Sequence, residues 1–142
     1  MRHTSRMFVV GANLSVPVFT VVVRKGYGLG AQSMCAGSFH SPFFIVAWPT
    51  SEFGGMGLEG AVRLGYRKEL EAISDPIERD ALFKKLVARL YEVGKGVSMA
   101  AWLEIDDVID PAETRRWIMR GLHSLPPAEK PKGKRRPFID TW

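Results

Sequence analysis

The apolar residues of this chain change their spacing several times along its length, and each change marks an element. In residues 4–12, Met7, Phe8 and Gly11 share one side of a helical wheel, which predicts a short helix. Residues 17–23, PVFTVVV, form a run without alternation. It predicts a strand buried on both faces, as in a parallel sheet flanked by helices. Gly26, Gly28 and Gly30 follow and predict a sharp turn, with a helix beginning near Ala31 or Gln32 and reaching Ala36. Residues 43–48 predict a second buried strand, closed by Pro49. After Gly54-Gly55-Met56-Gly57 the period becomes helical. Leu58, Ala61, Val62, Gly65, Leu70 and Ile73 recur, with Arg63, Arg67 and Lys68 between them.

Two later helices announce their starts. Asp75-Pro76-Ile77-Glu78 offers an aspartate N-cap, a proline at the first helical position and a glutamate at the third. The helix it opens carries Phe83, Leu86, Val87, Leu90 and Tyr91 and should end around Gly94 or Gly96. Residues 102–105 read as strand or loop. Asp110-Pro111-Ala112-Glu113 repeats the start signal and opens a helix with Trp117, Ile118 and Leu122 on one side, stopped by Pro126 and Pro127. The order is strand, helix, strand, then several helices, without an internal sequence repeat. This is an α/β chain poor in strands.

Composition narrows the class. A chain of 142 residues with 46% hydrophobic and 25% charged residues is one domain or part of one. A net charge of +5 raises the question of a polyanionic partner. Much of the excess sits in Lys130, Lys132, Lys134, Arg135 and Arg136, among prolines and a glycine. Residues 126–142 therefore read as a solvated basic tail behind a domain of residues 1–125, and no nucleic-acid partner is expected. The lone Cys35 excludes an internal disulfide framework and fits a reducing compartment. Residues 1–7 lack the apolar run of a secretory signal, and Arg24 and Lys25 close the most apolar window well short of a membrane span. A cytoplasmic chain with no membrane partner is expected.

Side-chain chemistry is sparse. His3, His40 and His123 are scattered and Cys35 has no partner at ligand spacing, so no metal site is expected. A nucleophilic pair of Cys35 with His40 competes with Cys35 as a core filler. Glu52 and the Asp106-Asp107 pair can be acid/base groups, or simply caps, turn formers and ion-pair partners. Trp48, Trp102 and Trp117 read as core or interface residues. The main chain offers more: free N–H groups at the glycine turn, beside a helix start, can hold an oxygen carrying negative charge. The same glycines also suit packing alone, and the residues by themselves leave both readings open.

Several blocks in register point further. They are Arg24-Lys25-Gly26-Tyr27-Gly28-Leu29-Gly30-Ala31-Gln32-Ser33-Met34, Ala47-Trp48-Pro49-Thr50-Ser51-Glu52, Met56-Gly57-Leu58-Glu59-Gly60-Ala61-Val62, and Ile105-Asp106-Asp107-Val108-Ile109-Asp110-Pro111 with Thr114-Arg115. Together they resemble the C-terminal half of the carboxyltransferase β subunits of biotin-dependent acyl-CoA carboxylases, the acetyl-CoA and propionyl-CoA carboxylases among them. The closing Arg135-Arg136-Pro137-Phe138-Ile139-Asp140-Thr141-Trp142 also resembles a family C-terminus.

That resemblance implies a crotonase-like fold of stacked ββα units, here a partial C-terminal carboxyltransferase domain with several C-terminal helices. It implies transfer of the carboxyl group from carboxybiotin, carried on a carrier domain, to the α-carbon of an acyl-CoA. The main-chain donors to the ureido oxygen would be Leu29 and Gly30, in a biotin-binding turn of Gly28, Leu29, Gly30 and Ala31. Gln32 would line the acyl pocket, and Met56 and Gly57 its opposite wall. Tyr27 and Met34 would pack around the turn. Where many relatives have Gly-Gly-Ala, this chain has Gly28-Leu29-Gly30, and a leucine is costly at positive φ. The implied partners are a biotin carboxylase and biotin carrier subunit, the N-terminal carboxyltransferase domain, and further copies in a homo-oligomer of full subunits. The matching region starts partway through the family's C-terminal domain, so the chain is expected to be a fragment, split gene product or remnant, inactive without the N-terminal half. Two other functions compete: a crotonase-type hydratase or isomerase using Glu52, and a non-catalytic assembly module pairing through the helices after Gly54.

Overall fold

The computed structural model describes residues 2–127, so the basic residues expected to form the tail lie outside the described part. The chain opens with α1 (Arg2–Ala12), then β1 (Phe19–Val22), β2 (Lys25–Tyr27) and α2 (Gly28–Met34). The pattern recurs as β3 (Phe44–Ala47), β4 (Glu52–Gly54) and α3 (Leu58–Gly65). The helices α4 (Arg67–Glu71), α5 (Pro76–Val93) and α6 (Gly96–Ala101) follow, then β5 (Asp107–Val108), a 3-10 turn and α7 (Thr114–Ser124). Two ββα units are thus stacked although their sequences share no repeat.

The stacking is parallel. β1 pairs with β3 from Phe19↔Phe44 to Val22↔Ala47, and β2 pairs with β4 from Lys25↔Glu52 to Tyr27↔Gly54. β5 adds to the far side of β3, giving the order β1-β3-β5 beside the two-stranded β2-β4 sheet. Successive side chains of β3 point to opposite faces. Ile45 and Ala47 enter one core with Cys35, Phe53 and Ile105, while Phe44 and Val46 enter another with Ile109. All four β3 residues are buried, which explains a strand sequence without alternation.

The first apolar run departs from expectation. It is not one strand covered on both faces. β1 is half-buried at the edge of its sheet, the chain bends at Val23-Arg24, and β2 belongs to the second sheet. An apolar run reports the wish to be buried, but only the neighbouring strands decide how far that wish is met. The helix start also differs: α2 begins at Gly28, not near Ala31. Gly28 has φ +60°, and one residue in that conformation turns the strand directly into the helix.

Capping chemistry set two helix starts as expected. The Asp75 carboxylate accepts from the Ile77 N–H at 2.9 Å, and the Asp110 carboxylate from the Ala112 N–H at 2.8 Å. The first opens α5; the second opens the 3-10 turn Pro111–Glu113 that leads into α7. In α7, Trp117 and Ile118 pack on the core, but Leu122 is exposed. Gly121 takes the packed position instead, because the Phe19 and Phe44 rings stand where its Cβ would be. Residues 102–105 are loop. β5 and α6 were not foreseen. Asp106 donates its N–H to the Ile45 carbonyl at 2.9 Å, and its carboxylate accepts the Ile45 N–H at 2.7 Å. Trp48 ties the end of β3 to α7 by donating Nε1–H to Thr114 Oγ1 at 3.0 Å.

Candidate functional site

Both ββα units end their second strand at the same level, since Tyr27 is the partner of Gly54. Beyond it the chain turns into α2 at Gly28 and into α3 through Gly55, Met56 and Gly57. The two turns nearly touch: a Cβ on Gly28 would stand 3.0 Å from the Gly55 carbonyl oxygen. Between them opens a cleft of about 460 Å³. Gly28, Leu29 and Gln32 line it from the first unit, Gly54, Met56 and Leu58 from the second, and Leu90, Met99 and Ile105 line it as well. Gln32 and Glu104 bring the polar side chains of a lining that is otherwise apolar or glycine.

The amides of Leu29 and Gly30 lie in the first turn of α2, where a helix has no acceptor four residues back within itself. No side chain caps that end. Gly30 has nothing within 4 Å of where a Cβ would stand. The first turn is fixed from behind. Ser33, buried, donates Oγ–H to the Gly30 carbonyl at 2.8 Å, and its hydroxyl lies 3.9 Å from the Met7 sulfur of α1. Gly11 of α1 approaches the Ala36 backbone so closely that a Cβ would meet it at 2.8 Å. The α1 face of Met7, Phe8 and Gly11 is thus the one that supports α2. Leu29 itself carries no left-handed strain: among the described residues, the non-glycine positions at positive φ are Ala36 and Leu103.

Of the residues expected at the site, Gly28, Leu29, Gln32 and Met56 share this cleft. Gly30 and Ala31 continue the same helical turn without lining it. Gly57 faces a neighbouring cleft of about 700 Å³ instead, together with Tyr27, Glu52 and the α5 residues Phe83 and Tyr91. Tyr27 packs as expected, its ring against Gly54, whereas Met34 is 74% exposed.

The remaining candidates are occupied elsewhere. Glu52 does not line the cleft of the glycine turn; it faces Tyr27 and lies 3.9 Å from Lys25 Nζ, so the hydratase or isomerase reading loses its acid/base group. The Asp106 carboxylate serves the Ile45 amide and the Asp107 carboxylate the Val108 amide at 2.8 Å. Cys35 is in the core, where burial pushes its thiol pKa up, against a smaller opposing effect of Thr20. His40 lies 3.6 Å from Glu104. Among the described residues no group of three or more His, Cys, Asp and Glu side chains could hold a metal ion, and no helix is long and apolar enough to cross a membrane. The cleft residues that sequence reasoning missed include Phe39, Phe53, Met99, Glu104 and Ile105. For Phe53 a signal existed, an aromatic just before the second glycine run; the others come together only through the fold.

Comparison with known proteins gives concordant results. Residues 1–136 match the family model described as the carboxyl transferase domain. The chain is 37% identical over 123 residues to the methylmalonyl-CoA carboxyltransferase 12S subunit of Propionibacterium freudenreichii subsp. shermanii, covering 86% of this chain and 23% of that protein. It is similar to a solved single-chain, multi-domain long-chain acyl-CoA carboxylase, with 57% identity and a TM-score of 0.68 over 82% of this chain and 11% of that one. It is also similar to the solved transcarboxylase 12S hexamer with methylmalonyl-CoA and methylmalonic acid bound. There the identity is 32% and the TM-score 0.80, over 99% of this chain and 26% of that one. The chain spans about a quarter of the length of the curated relatives it matches.

Proposed function

We propose, starting from the fact that this chain belongs to the carboxyl transferase domain family, that it forms the biotin-side half of a site where an acyl-CoA is carboxylated. The observation that carries the reading is the meeting of Gly28, Leu29, Gln32 and Met56, all marked by the resemblance, around one cleft.

The turn fits a ureido oxygen. First-turn amides without an intrahelical acceptor, an end that no side chain caps, and a bare Cα at Gly30 leave room for an oxygen carrying negative charge. Carboxybiotin, delivered on a carrier domain, supplies the carboxyl group. The N–H groups of Leu29 and Gly30 would hold its ureido oxygen, and they stabilise charge best where water is excluded. Gly28 sets their direction through its positive φ, and Ser33 fixes the carbonyl of Gly30. Ala31 completes the turn. Gln32 and Met56 stand along the path of the acyl group, and Gly57 shapes the turn behind Met56. The apolar walls and the likeness to a long-chain acyl-CoA carboxylase favour an extended aliphatic acyl group.

The rest of the site belongs to the N-terminal carboxyltransferase domain, with a biotin carboxylase and carrier subunit supplying the charged donor. Assembly into a homo-oligomer and a cytoplasmic location complete the reading, with residues 1–125 as the domain and 126–142 as its tail. The test mixes this chain with the N-terminal carboxyltransferase region of a relative and measures acyl-CoA-dependent loss of carboxyl from carboxybiotin. Transfer is expected from the mixture but not from the chain alone. It should improve from short to long acyl-CoA. No transfer from any mixture, or equal transfer from the chain alone, would refute this reading.

A further inference from the structure

The two ββα units meet strand to strand, and their outer sides are not alike. On the second unit the outer side is closed along both strands. β5 and Asp106 serve β3, while in β4 the Phe53 N–H donates to the Gly94 carbonyl at 2.7 Å and the Ser51 carbonyl just before it accepts the Gly96 N–H at 3.1 Å. On the first unit, no strand among the described residues lies outside β1 or β2.

Which groups face outward follows from those that face inward. The Val18 carbonyl accepts the Phe43 N–H at 2.7 Å, the Val22 carbonyl the Trp48 N–H at 3.0 Å, and the Arg24 carbonyl the Glu52 N–H at 2.7 Å. Backbone groups alternate sides along a strand. Thr20 and Gly26 therefore also face the second unit, and the N–H and C=O groups of Phe19, Val21 and Lys25 face out. Sheet edges are usually blunted by charge, proline or a bulge. β1 reads Phe-Thr-Val-Val and has none of these; Pro17, without an N–H, only ends the open row before Phe19. Beside it lies an apolar hollow of about 450 Å³ whose lining includes Leu14, Val16, Pro17 and Phe43. The helix position next to the first unit is already filled, because α1 lies on α2 with Gly11 against the Ala36 backbone.

We propose that the open side of the first unit is a docking edge for a partner polypeptide that adds two parallel strands, one to β1 and one to β2, as β3 and β4 do on the inner side. The occupant is a strand–bend–strand segment whose first strand is apolar, with a side chain for the hollow beside Val16. A second copy of this chain stacked head to tail does not fit, because its β3 and β4 are closed on the side that would have to pair. Docking of this kind needs no chemistry at the glycine turn.

The experiment follows amide exchange of the 142-residue chain by NMR, alone and mixed with the Propionibacterium freudenreichii 12S subunit from which the matching stretch is deleted. In the mixture the amides of Phe19, Val21 and Lys25 are expected to slow by about ten-fold or more. Those of Thr20, Val22 and Gly26, already paired with the second unit, should change little. Val21→Pro removes an outward N–H and spares the ladder to β3, and Val16→Asp puts a charge in the hollow. Each should weaken binding about ten-fold while exchange at Val46 stays slow. No binding, binding that leaves the three outward amides unchanged, or full binding by both variants would overturn the docking edge. Outward amides that are slow in the chain alone and quicken on dilution would overturn it too, since copies would then be pairing with each other. Slowed outward amides in a mixture without carboxyl transfer would sink only the reading of the glycine turn.

Discussion

The two ββα units share a topology and differ in what they do with it. In the second unit, β3 lies between two strands with every residue buried, and Val62 of α3 is fully buried. In the first unit, β1 is a half-buried edge, and α2 buries only Ser33, a polar residue bound to the Gly30 carbonyl. Their turns differ in the same sense. The first takes a single glycine at positive φ and leaves the Gly30 Cα open, whereas the second spreads over Gly55, Met56 and Gly57. Repeating one unit lets a small domain divide its work: the covered copy supplies stability, and the exposed copy can present amides at a cleft.

The sharpest way to separate the two copies is Gly30→Trp. With nothing near the added Cβ, the thermal midpoint should stay within about 2 °C, while carboxyl transfer in the reconstituted mixture falls about 100-fold, because the indole would crowd the oxygen that the main-chain amides are proposed to hold. A parallel loss of melting temperature would mean that the first unit also carries the fold. Core truncation should show the opposite asymmetry. Ile45→Ala, in the buried strand, is expected to cost about 2–5 kcal/mol in denaturant unfolding, and Val21→Ala, at the half-buried edge, about 1 kcal/mol. Equal costs would erase the distinction between the strands.

A finer comparison sets the two turns side by side. Gly28→Ala should cost about 1–2 kcal/mol, because alanine is strained at φ +60° and its Cβ would press on the Gly55 carbonyl. Gly57 has φ −53° and open space, so Gly57→Ala should change stability by no more than about 0.5 kcal/mol. The smallest effect concerns the Tyr27 phenol. Tyr27 has a folded pKa raised from 10.0 to about 12, so the unfolded chain loses that proton first as pH rises. The associated stability is complete below pH 10 and declines toward pH 12. Unfolding curves should show a loss over that interval that Tyr27→Phe lacks.

How much of this was legible follows from where each signal resides. Asp75 and Asp110 announced their helices because a cap is local chemistry between a side chain and an amide two residues on. The apolar residues 43–48 announced a buried strand for the same reason of locality. The break within residues 17–27 was hidden, because the polar Arg24-Lys25 and the glycines look like a turn although Lys25–Tyr27 pairs as a strand. The Gly28 start of α2 was hidden too, since glycines argue against a helix and no capping side chain argues for one. Lys95, equally without a side-chain cap bond, gave α6 no announcement, and β5 has two residues. At the site, the glycine turn and Gln32 could be named from the resemblance. Met99, Glu104 and Ile105 reach the same cleft from some seventy residues away, and only tertiary packing brings them there.

The carboxylate of Asp106 has a further bearing, on solubility. β3 reads Phe-Ile-Val-Ala, a sticky segment if its flank were bare, and β5 covers only Val46 and Ala47 of it. One aspartate takes both polar groups of Ile45, the amide through its side chain and the carbonyl through its own N–H. The uncovered flank is thereby closed to a foreign strand, and a negative charge stands where such a strand would have to add.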